Sequence, residues 1–397
     1  MEANLQRRRI LMIAPEPFFE PRGTPFSVLG RLKALSLLGH EVDLLTYPIG
    51  QDVGIPGVRI IRTTPIRFVR RVPIGPSWTK LFLDIFLLAK AVRLLLNSRY
   101  DLLHTHEEAC VFGMVLANLF GTRHLYDMHS SLPQQLENCQ FTRFRPLIAL
   151  FGWMEHQVIR SSDAVISICP ALDEHLKQLN GHGRHVMIEN VASVRDSRAV
   201  TTEELQGFMT AHSFLVNKKI VLYTGTFEPY QGIDLLIASA EQVLRFHTDV
   251  LFLLVGGNPD QVQYYKERVS QLGLSKYFHF TGSRPPEEIP IFVKVSQVLV
   301  SPRTTGTNTP LKIYSYLESG KPIVATRLPT HTQVLNPDVA VLVEPDPVAF
   351  AQGLLILFEN PLLGRKLGEE ARKLFEDRYS FEKFVYKTDR ALQLALS

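Results

Sequence analysis

Short apolar runs rich in β-branched residues alternate with longer stretches whose apolar residues recur at helical spacing, from one end of the chain to the other. In the first half this pattern predicts strands at residues 10–14, 41–46, 58–62, 101–104, 123–126, 164–168 and 186–188. The first helix is predicted at residues 25–38 and ends before Gly39, because glycine tolerates the left-handed conformation that closes a helix. Strands that alternate with helices indicate a parallel sheet with helices on both faces.

The same rhythm starts again after a polar, irregular stretch at residues 191–217. The strands predicted in this second half are residues 220–223, 251–255, 278–280, 298–300, 323–325 and 341–343. We therefore predict an N-terminal domain at residues 1–195 and a C-terminal domain at residues 215–378, joined by a hinge. A last helical pattern at residues 380–397 is followed by no strand, and we expect it to pack back on the N-terminal domain.

The length and charge of the chain support this division and exclude one class of partner. A chain of 397 residues exceeds the usual span of one hydrophobic core. Lysine and arginine total 43 against 39 for aspartate and glutamate, and the formal charge of +4 is dispersed along the sequence. So small a surplus predicts no nucleic-acid-binding surface.

The cysteines and the apolar segments bear on the compartment. Cys110, Cys139 and Cys169 form no CxxC pair and are odd in number, which predicts reduced, buried thiols. The apolar run at residues 10–14 is too short for a signal peptide. Residues 81–96 contain three charges, which predicts an amphipathic helix and not a membrane span. We expect a cytoplasmic protein, at most peripheral at the inner face of the membrane.

The residues that follow the predicted strands are the candidates for ligand binding, because ligands bind beyond the carboxyl ends of strands in open parallel sheets. Several strand ends carry glycine and other small residues, which let a ligand approach the backbone. These candidates are Gly23, Thr24, Gly225, Thr226, Gly256, Gly257, Gly282, Ser283 and Arg284. Gly23 leads into a helix whose free amides can face an anion, and a tight turn that binds nothing is the alternative.

A phosphate site is predicted after the fourth strand of the second half. Arg303 follows this strand, a loop rich in hydroxyls comes next, and Lys312 lies in the first turn of the following helix. The remaining candidates in this stretch are Thr307, Asn308, Thr309, Pro310, Leu311 and Ser315. Exposed amides, a helix N-terminus and two cations suit a diphosphate leaving group. The alternative is that Arg303 and Lys312 are solvated surface charges.

The order of short segments along the chain resembles a known enzyme family. In the first half these segments are ILMIA at 10–14, GHEV at 39–42, DLLHTH at 101–106, YDMH at 126–129 and DAVI at 163–166. In the second half they are YTG at 223–225, QGIDLL at 231–236, VGG at 255–257 and YLESGKPIV at 316–324. Nearly the whole chain thus resembles glycosyltransferase family 4, which consists of retaining enzymes that use nucleotide-diphosphate sugars.

The resemblance implies an α/β protein of the GT-B fold, with two Rossmann-like domains whose parallel sheets face a central cleft. It implies that the N-terminal domain binds a glycan or lipid-linked acceptor and the C-terminal domain binds the sugar nucleotide. Transfer with retention would pass through an oxocarbenium-like state, with the acceptor hydroxyl attacking from the same face. The main contribution of the protein would be stabilisation of the leaving diphosphate.

Two departures from the family pattern fall in the predicted donor site. Many members have arginine and lysine where this chain has Thr226 and Gln231. We expect Arg303 and Lys312 to take over the diphosphate. The family also tends to have two glutamates, for the sugar and the ribose, where this chain has Thr307 and Ser315. Glu318, one turn after Ser315, either substitutes in part for the second glutamate or is solvated.

His129 follows a strand end in the first half, where the family's cleft histidine contacts the donor sugar or the reacting centre. A histidine packed in a loop is the alternative. His104 and His106 lie two apart on a strand, so they share a face and could bind a metal. The sequence contains no Asp-x-Asp motif and no further ligand cluster at suitable spacing. We therefore expect a metal-independent enzyme without a cofactor besides its donor substrate.

A membrane contact is a further hypothesis from the first half. Basic and aromatic residues suited to lipid headgroups occur together, namely Arg67, Phe68, Arg70, Arg71, Trp78, Lys80, Phe82 and Phe86. The alternative is an ordinary helix whose aromatic residues pack in the core and whose charges are solvated.

Two other functions compete with glycosyl transfer. The first is a weak or inactive protein of the same fold that only binds a sugar nucleotide, suggested by Thr307 and Ser315 at the glutamate positions. The second is a sugar-nucleotide epimerase, which would form product isomers without an acceptor.

Overall fold

The computed structural model describes residues 7–20, 23–66, 69, 72–73, 77–133, 144–179, 183–190, 200–306 and 308–397. The chain forms two compact units, one of Met1–Val194 together with Phe381–Ser397 and one of Arg195–Ser380. Each unit contains one parallel sheet covered by helices. The predicted α/β class with two parallel-sheet domains is therefore confirmed.

The sheet of the first unit has seven parallel strands in the order β3-β2-β1-β4-β5-β6-β7. They are β1 Arg9–Ala14, β2 Glu41–Thr46, β3 Val58–Arg62, β4 Leu102–His106, β5 Arg123–Met128, β6 Ala164–Ser167 and β7 His185–Met187. The order reverses between β1 and β4, which are neighbours in the sheet although two strands separate them in sequence. Such a reversal is where open α/β sheets bind their ligands.

Helices cover both faces of this first sheet. They are α1 Gly23–Leu37, α2 Trp78–Asn97, α3 Ala109–Phe120, α4 Arg145–Ser161, α5 Pro170–Leu179 and the C-terminal helix Phe381–Leu396. α1 and the C-terminal helix share a buried core with Ile10 and Met12 of β1. α2 and α3 share another with Leu11 and Ile13, which point to the opposite face. Alternate residues of β1 are therefore buried on both sides, as in a fully covered parallel strand.

The sheet of the second unit has six parallel strands in the order β10-β9-β8-β11-β12-β13. They are β8 Lys219–Thr224, β9 Val250–Val255, β10 Phe278–Gly282, β11 Val298–Ser301, β12 Ile323–Thr326 and β13 Val341–Val343. Its helices are α6 Thr202–Ala211, α7 Ile233–Leu244, α8 Pro259–Gln271, α9 Ile289–Val295, α10 Leu311–Ser319, α11 Pro329–Thr332, α12 Pro347–Glu359 and α13 Pro361–Arg378. The order reverses between β8 and β11, so the loops after these two strands lie at the expected ligand position.

The predicted strands all exist, and the differences lie at their ends. The strand predicted at residues 101–104 is Leu102–His106, which places His106 inside β4. Helix α7 begins at Ile233, because Gly232 has a positive φ of 76° and Pro229–Gln231 forms a separate 3-10 turn. Cys110 and Cys169 are buried free thiols.

Some predicted features lie outside the described residues. They are Cys139, residues 191–199 of the expected hinge, residues 21–22 before the first helix, Thr307, and Arg67, Phe68, Arg70 and Arg71. The amphipathic helix predicted at residues 81–96 is α2, which buries Leu83, Leu87, Ala91 and Leu95 at a spacing of four. In the described part of the chain, no single helix is long and apolar enough to cross a membrane.

Candidate functional site

The loops at the switch point of the second sheet pack so closely that they require glycine. A Cβ atom on Gly232, at the start of α7, would lie 1.8 Å from the carbonyl oxygen of Pro302 after β11. A Cβ on Gly256, after β9, would lie 1.9 Å from the carbonyl oxygen of Gly225 after β8. Both positions also have positive φ. Glycine at these strand ends thus lets three loops meet at one edge of the sheet.

Lys312, in the first turn of α10, places a buried cation in this region. Its Nζ atom is buried and has no hydrogen-bond partner among the described residues, although the rest of the residue is partly exposed. The nitrogen lies 3.6 Å from the centroid of the Tyr223 ring, a cation–π contact. A Cβ on Gly225 would lie 3.3 Å from it. Burial, and then the charge of Arg303, lower the pKa of Lys312 well below its ordinary value.

Arg303, which follows β11, supplies the second cation and is held by neutral groups. Its Nη1 donates to the carbonyl oxygen of Asn308 and to Oγ1 of Thr330, both at 2.9 Å. Its Nε donates to Oε1 of Gln231 at 3.4 Å, and the guanidinium lies 5.3 Å from the Tyr230 ring centroid. Burial lowers the pKa of Arg303. These contacts orient the guanidinium without neutralising it.

Neither cation has a carboxylate partner in the part of the chain that the structure describes. Two adjacent positive charges that are mostly removed from water are costly unless an anion joins them. Helix α10 adds its free amides, because its N-cap residue Pro310 makes no side-chain cap. Thr309 adds a buried hydroxyl that makes no hydrogen bond within the described residues. The arrangement is suited to an oxyanion such as a phosphate.

Three of the residues at which this chain departs from the family pattern are described, namely Thr226, Gln231 and Ser315. Gln231 is buried and contacts Arg303, whereas Thr226 is exposed and accepts a 2.6 Å hydrogen bond from the Tyr223 hydroxyl through its carbonyl oxygen. Ser315 is partly buried on α10, one turn after Lys312, and Leu311 begins that helix. Gln231, at the position where the resemblance implies lysine, is thus a hydrogen-bond acceptor for Arg303.

The other predicted strand-end residues fall into two groups. Gly256 and Gly282 are joined by a backbone hydrogen bond of 2.9 Å, and Gly257 lies so close to Phe227 that a Cβ would come within 2.4 Å of its ring. Ser283 and Arg284 are exposed, and Arg284 lies 3.8 Å from Glu288. The glycines therefore belong to the closely packed loops after the strands. Arg284 instead lies at the surface, where it pairs with Glu288.

In the first unit, His129 lies just beyond β5 in a buried polar network. Its Nε2 atom lies 3.0 Å from Nδ1 of His106 and 3.4 Å from Oδ1 of Asp127. Oδ2 of Asp127 accepts a 2.9 Å hydrogen bond from Nε of Arg31 on α1 and lies 3.4 Å from Nε2 of His104. His129 is only 5 % exposed, so this network holds its ring in one place.

Charge in this network is concentrated on Asp127 and Arg31. Burial acts to raise the pKa of Asp127, but Arg31 and the nearby imidazoles hold it well below its ordinary value. Burial lowers the pKa of His104 and, more strongly, of His106, which favours their neutral forms. Arg31 also donates to Oγ1 of Thr388 on the C-terminal helix at 2.9 Å. A buried ion pair therefore links β5, α1 and the C-terminal helix.

The sequence alone did not identify Asp127 as a candidate metal ligand. It lies directly opposite His106 in the β4–β5 register, and His104, His106 and Asp127 offer ligand atoms within 4.8 Å of one another. Sequence spacing does not show this, because 21 positions separate His106 from Asp127. Oδ2 of Asp127 already accepts the Arg31 hydrogen bond, so the charge of Asp127 is paired with Arg31 within the protein.

The remaining predicted residues of the first unit lie at the start of α1. Gly23 is exposed, and the hydroxyl of Thr24 donates to Oε1 of Glu107 at 2.9 Å. Glu107 follows β4 and has a positive φ of 49°. Thr24, in the first turn of α1, thus has Glu107 as a partner within the protein, and a carboxylate near a helix N-terminus interacts favourably with the helix dipole.

The sequence also gave no reason to select His331, which lies behind the cation pair. Its Nε2 is 2.8 Å from Oγ of Ser301, and its Nδ1 is 2.8 Å from the carbonyl oxygen of Thr326. Thr326 in turn donates to the carbonyl oxygen of Arg303 at 2.7 Å. Burial lowers the pKa of His331 to about 3, so it is neutral and supports the Arg303 loop through hydrogen bonds.

Two family models match the chain. The model described as "Glycosyl transferases group 1" matches residues 209–374, which contain the cation pair. The model described as "Glycosyl transferase 4-like domain" matches residues 23–190, which contain His129. Together the matches cover most of both units.

Individual relatives agree with these matches. The putative glycosyltransferase YtcC of Bacillus subtilis is 27 % identical, over 46 % of this chain and 46 % of its own length. The phosphatidyl-myo-inositol mannosyltransferase of Mycobacterium leprae is 25 % identical over 93 % of both chains. The crystal structure of HepE from Anabaena, in complex with UDP and glucose, superimposes with a TM-score of 0.75 at 16 % identity, and covers 98 % of this chain and 100 % of HepE.

Proposed function

Because the chain belongs to the group 1 glycosyl transferases, we propose that it transfers a sugar from a nucleotide-diphosphate sugar to a hydroxyl of a glycan or lipid-linked acceptor. The observation that carries the donor assignment is the pair of cations Lys312 and Arg303, which have no carboxylate partner among the described residues. A diphosphate supplies the negative charge that this pair lacks.

The role proposed for these groups is stabilisation of the leaving group. As the bond between sugar and phosphate breaks, negative charge grows on the diphosphate. Lys312 and Arg303 lie in a largely dehydrated region, where a fixed cation stabilises this charge more than it would in water. The amides at the start of α10 act in the same direction through the helix dipole.

Retention of configuration and independence of metal are further parts of the proposal. Retention follows the resemblance to glycosyltransferase family 4. Metal independence is proposed because two cations and a helix N-terminus already provide the positive charge that a bound metal provides in other transferases. Transfer assays with and without EDTA, and analysis of the anomeric configuration of the product, test these two points separately.

His129 is proposed to contact the donor sugar or the reacting centre. Its neighbours His106 and Asp127 fix the ring, and a fixed donor or acceptor is what positioning of a sugar requires. We assign Asp127 as a positioning residue, because the described contacts connect it to the imidazoles and to Arg31.

Relatives support the choice of ligands. HepE was crystallised with UDP and glucose, and the Mycobacterium leprae relative is named a phosphatidyl-myo-inositol mannosyltransferase. We propose a nucleotide-diphosphate sugar and a glycan or lipid-linked acceptor for this chain on the same grounds. The titrations described next compare bases and sugars of the donor.

The decisive experiment is calorimetric titration with nucleoside diphosphates and their sugars, on the wild type and on Lys312→Met. We expect binding by the wild type and a loss of at least about tenfold in the variant, because a charge-assisted contact is removed. Lys276→Met is the matched control, since Lys276 also lies over a tyrosine ring, at 4.8 Å from Tyr277, but is exposed.

The outcomes separate the candidate functions. Equal binding by Lys312→Met and the wild type would refute the donor site. Binding without transfer or donor hydrolysis would favour the protein that only binds a sugar nucleotide, and isomerised nucleotide sugar without acceptor would favour an epimerase.

A further inference from the structure

Both tryptophans of this chain lie at the surface. The sequence contains two, Trp78 and Trp153, and their exposed fractions are 78 % and 60 %. Tryptophan has the largest apolar side chain and is buried on average, so exposure of both in one unit is unusual. Tryptophan is enriched where one end of the ring meets an apolar phase and the other meets water.

The two tryptophans belong to an apolar surface on neighbouring helices of the first unit, which we call the apolar helix face. It consists of exposed residues of α2, α3 and α4 and the residue preceding α4, namely Trp78, Leu81, Phe82, Ile85, Val115, Leu119, Phe144, Leu150 and Trp153. α3 packs against both α2 and α4. The exposed apolar residues therefore lie on three helices that pack side by side.

These three helices turn their other sides towards the sheet. α2 and α3 bury residues such as Leu87 and Leu116 in one core, and α3 and α4 bury Cys110 and Val158 in the adjoining one. On α2 the exposed Ile85 lies about 160° around the helix axis from the buried Leu87. The apolar helix face thus points away from the protein core.

The charge on these helices has one sign at the surface. α3 contains no charged residue. The acid of α2, Asp84, accepts a 2.6 Å hydrogen bond from the Tyr47 hydroxyl, and the acid of α4, Glu155, is 1 % exposed. The exposed charges are arginines, namely Arg93, Arg145 and Arg160. Across α2, α3 and α4, all of whose residues are described, no carboxylate is exposed.

Lys80 and Phe86, from the sequence-based hypothesis, take no part in this surface. Lys80 was expected to face lipid headgroups, but its Nζ lies 2.9 Å from Oε1 of Glu108 and the side chain is mostly buried. Trp78 and Phe82, from the same hypothesis, are exposed. The positive charge next to the apolar helix face is therefore provided by arginines and not by Lys80.

We propose that the apolar helix face docks the first unit on the surface of an anionic lipid bilayer. Apolar and aromatic side chains enter the headgroup boundary, and arginines pair with lipid phosphates while their alkyl parts stay in the apolar layer. An exposed surface that lacks carboxylates complements an anionic membrane, whereas protein interfaces usually carry both signs at the rim. The proposal does not depend on the donor site, which lies in the other unit.

The test uses the full chain and vesicles of neutral phosphatidylcholine, or of phosphatidylcholine with phosphatidylglycerol. Because both tryptophans lie on the apolar helix face, their fluorescence reports docking directly. We expect a blue shift and co-sedimentation with the anionic vesicles, both weakened by high salt. Leu119→Glu with Trp153→Glu should reduce partitioning about tenfold or more, since carboxylates are then placed at the bilayer surface.

Phe246→Glu is the matched control, because Phe246 is 69 % exposed but belongs to the second unit. It should bind vesicles like the wild type. Arg145→Gln with Arg160→Gln should reduce binding to anionic vesicles and leave the helices folded, as circular dichroism would verify. Absence of binding by the wild type, or an equal loss in Phe246→Glu, would overturn the proposal. Self-association without vesicle binding would overturn it in favour of a protein contact. Nucleotide titrations of the same variants distinguish a failure here from a failure of the donor site.

Discussion

The buried ammonium of Lys312 lies 3.6 Å from the centroid of the Tyr223 ring, and the ring is its principal described contact. A cation–π contact stabilises a cation less than a paired carboxylate does. Burial and the charge of Arg303 therefore lower the pKa of Lys312 in the free protein, and a bound diphosphate would stabilise its charged form. Function and stability should conflict at this residue.

The first prediction is that Lys312→Met stabilises the protein without ligand. Replacing a buried, uncompensated cation by an apolar side chain of similar length should raise the free energy of unfolding of the second unit by about 1 kcal/mol or more. Urea unfolding followed by far-UV circular dichroism measures this. Lys276→Met, at an exposed position, should change it by less than about 0.5 kcal/mol. A clear destabilisation by Lys312→Met would contradict the prediction.

The second prediction concerns the close approach of Gly232 to Pro302. Gly232→Ala adds a Cβ at 1.8 Å from a carbonyl oxygen. A positive φ alone costs about 1 to 3 kcal/mol, and we expect this variant to destabilise the second unit by more than that. Gly273→Ala isolates the cost of φ, because Gly273 has a φ of 70° with nothing within 4 Å of an added Cβ. Thermal unfolding of both variants tests this, and equal losses would show that the loops can move apart.

The third prediction is a loss of stability in mild acid. Burial lowers the pKa of His331 to about 3, whereas in the unfolded chain it stays near 6.5. Between these values the unfolded state binds more protons, so stability falls as pH falls below about 6.5, by at most about 1.4 kcal/mol per pH unit for this group. His331→Asn should flatten the dependence measured by urea unfolding at pH 7.5 and 5.5. An unchanged slope would mean that His331 is already protonated in the folded state.

The fourth prediction concerns the buried ion pair in the first unit. Asp127→Asn leaves Arg31, which is 2 % exposed, without its carboxylate and should destabilise this unit by about 3 to 5 kcal/mol. Tryptophan fluorescence follows the unfolding, because Trp78 and Trp153 both lie in this unit. In Arg31→Met with Asp127→Asn, we expect a smaller loss than the sum of the single losses. Strict additivity would show that the two residues do not interact.

A fifth prediction tests the positioning role of Asp127. In the active enzyme, Asp127→Asn should alter the pH profile of transfer, because the carboxylate acts on His104 and His106 through charge. Asp127→Glu should rescue the profile in part, since it keeps the charge. If Asp127→Asn only lowers the amount of folded protein, and the activity that remains keeps the wild-type pH profile, then Asp127 has a structural role alone.

The sequence by itself was enough for the family, the α/β class and every predicted strand, because local apolar patterns record which residues are covered on each face. The signals at Gly225, Gly256 and Arg303 also came from the sequence, since they follow strand ends directly. Strand ends were less accurate, as for β4, which extends to His106, because the ends of an element depend on single backbone angles.

Only the tertiary structure decided which of these residues meet. The register of β4 with β5 brings Asp127 to His106, and the packing of α10 on β8 places Lys312 over Tyr223. Burial is equally a tertiary property, and it distinguishes the dehydrated cations from the exposed tryptophans. The physical reason is that secondary structure depends on near neighbours in the chain, whereas the environment of a charge depends on residues that folding brings from far away.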